Sequence, residues 1–203
     1  VKKTFLSGLS TGLYLMVMVS SVGATTLTST ISMDNGYVAY MSTDDAVQGT
    51  AFADLNDWYT AHTTTTSLSS GTDYYLHIYG YDQGSIAGFL GEFSLSGNDH
   101  EFVNNSLTLL TNTADWIGNN TGWADPMTTL TDLGTNGVGP WGLRSGISSQ
   151  ANWIWVGDAY SKNAAYFSTK ISTAAPVPEP STILLLGGGL LGLGWYGRKR
   201  KKV

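Results

Sequence analysis

One stretch limits every fold open to this chain: residues 177–203, where an uncharged apolar run lies between a proline-bracketed acid and a block of cations. Val177-Pro178-Glu179-Pro180-Ser181-Thr182 comes first, Ile183 to Tyr196 follows without one charge, and Arg198-Lys199-Arg200-Lys201-Lys202 ends it. As a helix over 182–197 the run would be roughly 24 Å long, short of the roughly 30 Å hydrocarbon core of a bilayer. Length alone would allow a soluble core helix. Five adjacent cations argue against it, because unpaired charge is expensive to bury. The same cations suit the cytoplasmic headgroup layer, and snorkelling with local bilayer thinning would cover the missing length. The expectation is a short transmembrane helix over 182–197 with a retaining tail over 198–202.

The order of these parts resembles the PEP-CTERM sorting signal of exported proteins from Gram-negative bacteria that make exopolysaccharide. The carrying residues are Val177, Pro178, Glu179, Pro180 and Ser181, the glycine-rich helix with Gly187-Gly188-Gly189, and the basic tail. The resemblance implies an exosortase that processes the protein near Pro178-Glu179-Pro180 after a transient stay in the inner membrane. It also implies delivery to the cell surface or extracellular matrix. The same kind of tail is also named after the C-terminal domain of an ice-binding protein, which says nothing about the rest of the chain.

At the other end, Lys2-Lys3 precede an apolar stretch around Leu13 to Val19, and Val22-Gly23-Ala24 forms a small-residue cleavage pattern. This reads as a signal peptide over 1–24 cleaved after Ala24, with the Sec translocon as partner. Between the ends lie an ectodomain over 25–172 and a proline-extended linker over 173–176. The segment 25–176 holds fourteen acidic against three basic residues. Such a surface repels nucleic-acid phosphates and suits divalent cations or neutral sugars. With no cysteine, thiolate metal sites and disulfide staples are excluded, so the core alone must stabilise the domain.

Gly, Ser, Thr, Asn and aromatic residues dominate 25–172, and helix formers are scarce. That composition predicts an all-β sandwich of the jelly-roll kind. Strands are expected over 26–33, 36–41, 73–81, 86–95, 106–111, 152–156 and 164–171, the last beside the first. Asp34-Asn35-Gly36 reads as a hairpin turn. Thr63 to Thr66 reads as a loop or edge strand, and 119–149 as long loops. On 73–81, Tyr74, Leu76 and Ile78 share one face and Tyr75, His77 and Tyr79 the other. Asp34 to Tyr37, Asp73 to Tyr81 and Ser149 to Trp155 resemble runs in galactose-binding-like β-sandwiches, which implies a jelly-roll fold.

The chemistry points away from catalysis. His62, His77 and His100 sit in no catalytic motif, and no metal-binding helix or calcium loop pattern is present. Glu92 in its apolar strand reads as structural, and no organic cofactor is implied. A single structural Ca2+ is the ion that Asp44 and Asp45 would suit. Sugar binding needs an aromatic ring for the C–H face of a pyranose and polar groups for its hydroxyls. Trp116, Trp123 and Trp141 in loop regions, with Asp82, are the ligand-binding candidates, whereas Trp153 and Trp155 share a strand face and read as core. The leading expectation is a non-enzymatic, surface or exopolysaccharide-associated protein with a structural or carbohydrate-binding role. The alternatives are an extracytoplasmic glycan hydrolase and a surface adhesin or ice-binding module. Repeated Thr-x-Thr strands would favour ice binding, and none is evident in the sequence.

Overall fold

The computed structural model describes residues 24–161, 163–174 and 180–200. The signal segment before Ala24, Val177-Pro178-Glu179 of the motif, and Lys201 and Lys202 lie outside the described residues. In chain order the strands are β1 (Thr25–Asp34), β2 (Gly36–Ser42), β3 (Thr50–Leu55), β4 (His62–Leu68), β5 (Tyr74–Tyr81) and β6 (Gly88–Leu95). They continue as β7 (His100–Phe102), β8 (Thr108–Leu110), β9 (Ile117–Asn119), β10 (Thr131–Thr135), β11 (Asn152–Trp155) and β12 (Ala164–Thr173). One helix, α1 (Pro180–Arg200), follows.

The strands form two antiparallel sheets. Sheet A runs β10-β11-β6-β1-β4, with β8 also on β6, and sheet B runs β3-β2-β5-β12-β7, with β9 also on β12. Period-2 alternation explains which face is inside. On β1, Leu27 and Ile31 are buried between the sheets, while Thr26, Thr28 and Thr30 face outward and are only partly covered. Phe89 and Phe93 of β6 meet Phe167 of β12, Leu76 and Ile78 of β5, and the indole of Trp116. The rings of Phe89 and Trp116 meet edge to face at 5.2 Å. Each such side chain, fully removed from water, stabilises the fold by roughly 1.5–3 kcal/mol.

Several local expectations are corrected. Asp34-Asn35-Gly36 is not a hairpin turn: it carries the chain from sheet A to sheet B. Both sides of β1 are already taken by β4 and β6, so β2 must find its partners, β3 and β5, in the other sheet. The last strand, β12, pairs with β5, β7 and β9 and not with β1. The glycine-rich region after Asn119 contains β10, whose bulge at Asp132/Gly134 blurs the alternation that would have revealed it. Trp153 and Trp155 are both fully buried, but in different clusters. Trp155 enters the inter-sheet core, and Trp153 packs with Leu90, Trp141, Ile147 and Ala151 in a second cluster.

Candidate functional site

The outward face of sheet B carries aromatic side chains that stay partly open. Register places Val38, Tyr79 and Tyr166 side by side, with Asp54 at the β3 end of the same row. The rings of Tyr79 and Tyr166 are 4.9 Å apart, and Tyr79 and Tyr81 are 6.0 Å apart. Tyr40 and Tyr166 each meet the edge of Trp123, at 5.4 and 4.9 Å. The four tyrosines are half-buried. Burial raises the pKa of Tyr40, Tyr81 and Tyr166, and for Tyr40 and Tyr81 the Asp54 carboxylate adds to it. The hydroxyls of Tyr40 and Tyr81 therefore remain protonated donors near the exposed Asp54 carboxylate. An aromatic face of mutually tilted rings, with hydroxyl and carboxylate partners, can hold an apolar part of a ligand while hydrogen-bonding its rim.

A polar knot supports this face. His77 is fully buried and stacks on Trp123 at 4.7 Å. Its Nε2 lies 3.1 Å from Asp45 Oδ1, and its Nδ1 lies 3.4 Å from the Gln48 carbonyl. Ser168 Oγ donates to the same Asp45 oxygen. Trp123 is fixed from the other side by its indole N–H, which donates to the Phe167 carbonyl at 3.2 Å. Asp45 thus ties the 43–50 turn to β5 and β12. Its neighbour Asp44 accepts the Ala46 N–H at 2.9 Å. The calcium candidates Asp44 and Asp45 are therefore engaged by different protein partners. Among the described residues, no group of three or more His, Asp or Glu side chains is placed to hold a metal ion.

The other sequence candidates gather elsewhere or disappear into packing. Trp116 is fully buried against Phe89 and Phe93, so neither of its faces is open to a sugar. Apolar contact, available once the two sheets close, outcompetes exposure for so large a ring. Trp141 is also buried, stacked on Trp153 at 4.4 Å, and its indole N–H donates to Asp34 Oδ2 at 2.9 Å. Its edge and Asp34, Asn35, Trp58, Ser85, Ile86 and Pro140 line an open cleft of about 260 Å3. Burial raises the Asp34 pKa, and the nearby Asp82 charge adds to the effect. Asp82 is itself buried, and its Oδ1 has no hydrogen-bond partner among the described residues.

Arg144 organises the loops of this cleft. It donates to Ser32 Oγ at 3.1 Å, to the Trp141 carbonyl at 2.6 Å and to the Trp58 carbonyl at 3.1 Å. Its guanidinium lies 5.7–6.0 Å from the rings of Trp153, Trp58 and Tyr59. Desolvation lowers its pKa. Glu92, on the outward face of sheet A, accepts the Ser148 N–H at 2.7 Å and so holds the same loop region. Arg144, Trp58 and the tyrosines are not among the ligand-binding candidates that the sequence offers. The tyrosines could have been found from the Tyr75, Tyr79 and Tyr81 alternation on β5, whereas Arg144 gave no local signal.

Threonines absent from the expected sites form a ladder on sheet A. Thr26, Thr28 and Thr30 stand opposite Ser67, Thr65 and Thr63, and the Thr30 and Thr63 hydroxyls are 2.9 Å apart. Thr-x-Thr alternation therefore exists on two adjacent strands, although the sequence reading found none.

Helix α1 differs from everything above. Leu185, Leu186, Leu190, Leu191, Leu193 and Trp195 are each at least 62% exposed. Its expected core, 182–197, is helical, and the helix extends to both sides, over Pro180–Arg200. Six glycines, Gly187, Gly188, Gly189, Gly192, Gly194 and Gly197, each cost roughly 1 kcal/mol of helix propensity relative to Ala. Among the described residues, no helix is long and apolar enough to cross a membrane. Comparison with known proteins bears on this segment alone. Residues 176–201 match the PEP-CTERM protein-sorting motif. No curated protein matches the chain, and no solved structure does. Pro180, the glycine-rich helix and Arg198 thus lie within a recognised protein-sorting motif, which supports an exosortase substrate whose preceding residues form two antiparallel β-sheets.

Proposed function

We propose that this exosortase-sorted surface protein binds carbohydrate through the outward face of sheet B and associates there with exopolysaccharide, without catalysing a reaction. In this reading a signal peptide takes the chain through the Sec translocon. The helix, with its apolar residues flanked by Arg198-Lys199-Arg200, lies in the inner membrane of a Gram-negative cell until the exosortase acts. The observation that carries the sugar reading is the row Asp54, Val38, Tyr79 and Tyr166. Adjacent strands lie about 4.8 Å apart, so the row presents rings and hydrogen-bonding groups over a length that suits a short glycan. His77 and Trp123, locked by Asp45 and Phe167, hold the platform rigid before any ligand arrives, which lowers the ordering cost of binding.

A glycan array followed by calorimetry on the full chain, with and without Ca2+, tests this. Binding should fall at least tenfold, about 1.4 kcal/mol, in Tyr79→Ala and Tyr166→Ala, and much less in Trp58→Ala on the other cleft. Absence of binding at millimolar sugar would end the reading. The threonine ladder of β1 and β4 favours a second reading, adhesion to an ordered hydroxylated surface such as ice. Thermal hysteresis of the chain, lost in Thr28→Lys, would support it.

A further inference from the structure

The free edge of β4 lacks the protection found on every other sheet edge described. β3 carries exposed Asp54 and a register shift against β2. β10 carries Asp132 and a bulge. β7, β8 and β9 are three residues each. By contrast, β4 is seven residues long, His-Thr-Thr-Thr-Thr-Ser-Leu, with no carboxylate, lysine, glycine or proline. Its register with β1 runs unbroken from Thr25↔Leu68 to Ile31↔His62. Among the described residues no strand other than β1 pairs with it. Alternate residues of an edge strand turn N–H and C=O away from the sheet, and an unguarded edge is a template for another strand.

We infer that β4 pairs antiparallel with β4 of a second copy of this chain and joins two copies of sheet A about a two-fold axis. Two features of the strand and its surroundings select that occupant. The first is self-complementarity. Centred on Thr65, the two-fold sets Thr65 opposite Thr65, Thr64 opposite Thr66 and Thr63 opposite Ser67. Each of these facing pairs is hydroxyl on hydroxyl, a favourable cross-strand combination, with His62 opposite Leu68 at the two ends, and such an isologous contact closes as a dimer. The second is charge. The segment 25–176 is strongly acidic, so two copies repel wherever carboxylates meet. Along β4 and the adjoining β1 from Thr25 to Met33 there is no carboxylate, and Asp57, at one end, is engaged by His62 Nε2 at 3.0 Å.

Sedimentation of the full chain in a non-ionic detergent tests the pairing. The wild type should sediment at twice the protomer mass at micromolar concentration. Thr65→Lys and Thr65→Asp, each placing like charges opposite one another, should sediment as monomers. Their equimolar mixture should recover the doubled mass, which only two folded variants can do. Thr65→Cys, in a chain with no other cysteine, should form an intermolecular disulfide on mild oxidation, because directly opposed residues lie at disulfide distance. A monomeric wild type, a Thr65→Lys variant as dimeric as the wild type, or a mixture that stays monomeric would each overturn the inference.

Discussion

Leu76, Ile78 and Phe89 are fully buried in the sandwich, whereas Leu185, Leu190 and Leu191 of α1 are 70%, 62% and 78% exposed. Both regions draw on the same apolar residue types. In the sandwich two sheets cover one another's inner faces, so its apolar surface leaves water without any partner. The helix has apolar residues around much of its circumference and six glycines that weaken it in water. The sandwich thus hides its apolar surface within itself, whereas the helix leaves its own uncovered.

The strongest test of this contrast is to truncate a large apolar side chain on each side. Trp116→Ala or Phe89→Ala should destabilise the sandwich by roughly 3–5 kcal/mol, read as a lower denaturant midpoint. Leu190→Ala should leave that midpoint unchanged. In the helix the sensitive property is partitioning. Leu190→Lys should reduce the membrane-bound fraction, at a cost on the order of 3 kcal/mol at a bilayer centre, as measured by vesicle flotation. If Leu190→Lys instead unfolded the sandwich, the two regions would not be independent.

Smaller effects refine the sandwich side. Arg144→Met keeps much of the volume but leaves Ser32, Trp141 and Trp58 acceptors unmatched. A loss of about 2–3 kcal/mol is expected, with increased proteolysis around Trp58. Asp34→Asn should act the other way. Burial raises the folded pKa of Asp34, so its ionisation opposes folding once the pH passes its ordinary value of 3.8. The amide still accepts from Trp141, and the variant should be modestly more stable at pH 7, with the gain fading as pH falls through the folded pKa of Asp34. The smallest effect concerns Asp73, whose pKa falls from 3.8 to about 2 through its bond from Lys170, 2.8 Å away, and the bonds from Thr173. A depressed carboxylate stabilises fully above the unfolded value. That contribution is lost as pH falls from about 4 towards 2. Asp73→Asn should flatten that part of an acid-denaturation curve, lowering stability slightly at pH 7 and not at pH 2, a small effect because the pair is exposed.

Legibility in the sequence followed the range of the interaction. β1, β5 and the helix could be read because alternation or a charge-free run is visible within a few residues. β3 and β10 were missed, since a bulge in each pairing breaks the period. Asp34-Asn35-Gly36 carried a strong local turn signal, and yet occupied edges on both sides of β1 sent β2 to the other sheet. The candidate site was harder still. Trp116 and Trp141 looked like loop aromatics and became packed, while Tyr166 and Tyr40 joined Tyr79 across strands far apart in sequence.

By itself the sequence determined the all-β character and the sorting address, because composition, two-residue periodicity and an uncharged run beside cations act locally. Only the tertiary structure decided which rings remain open, which carboxylates are engaged and which edge is unguarded. Those properties depend on which strands become neighbours, and neighbours are chosen by burial summed over the whole sandwich.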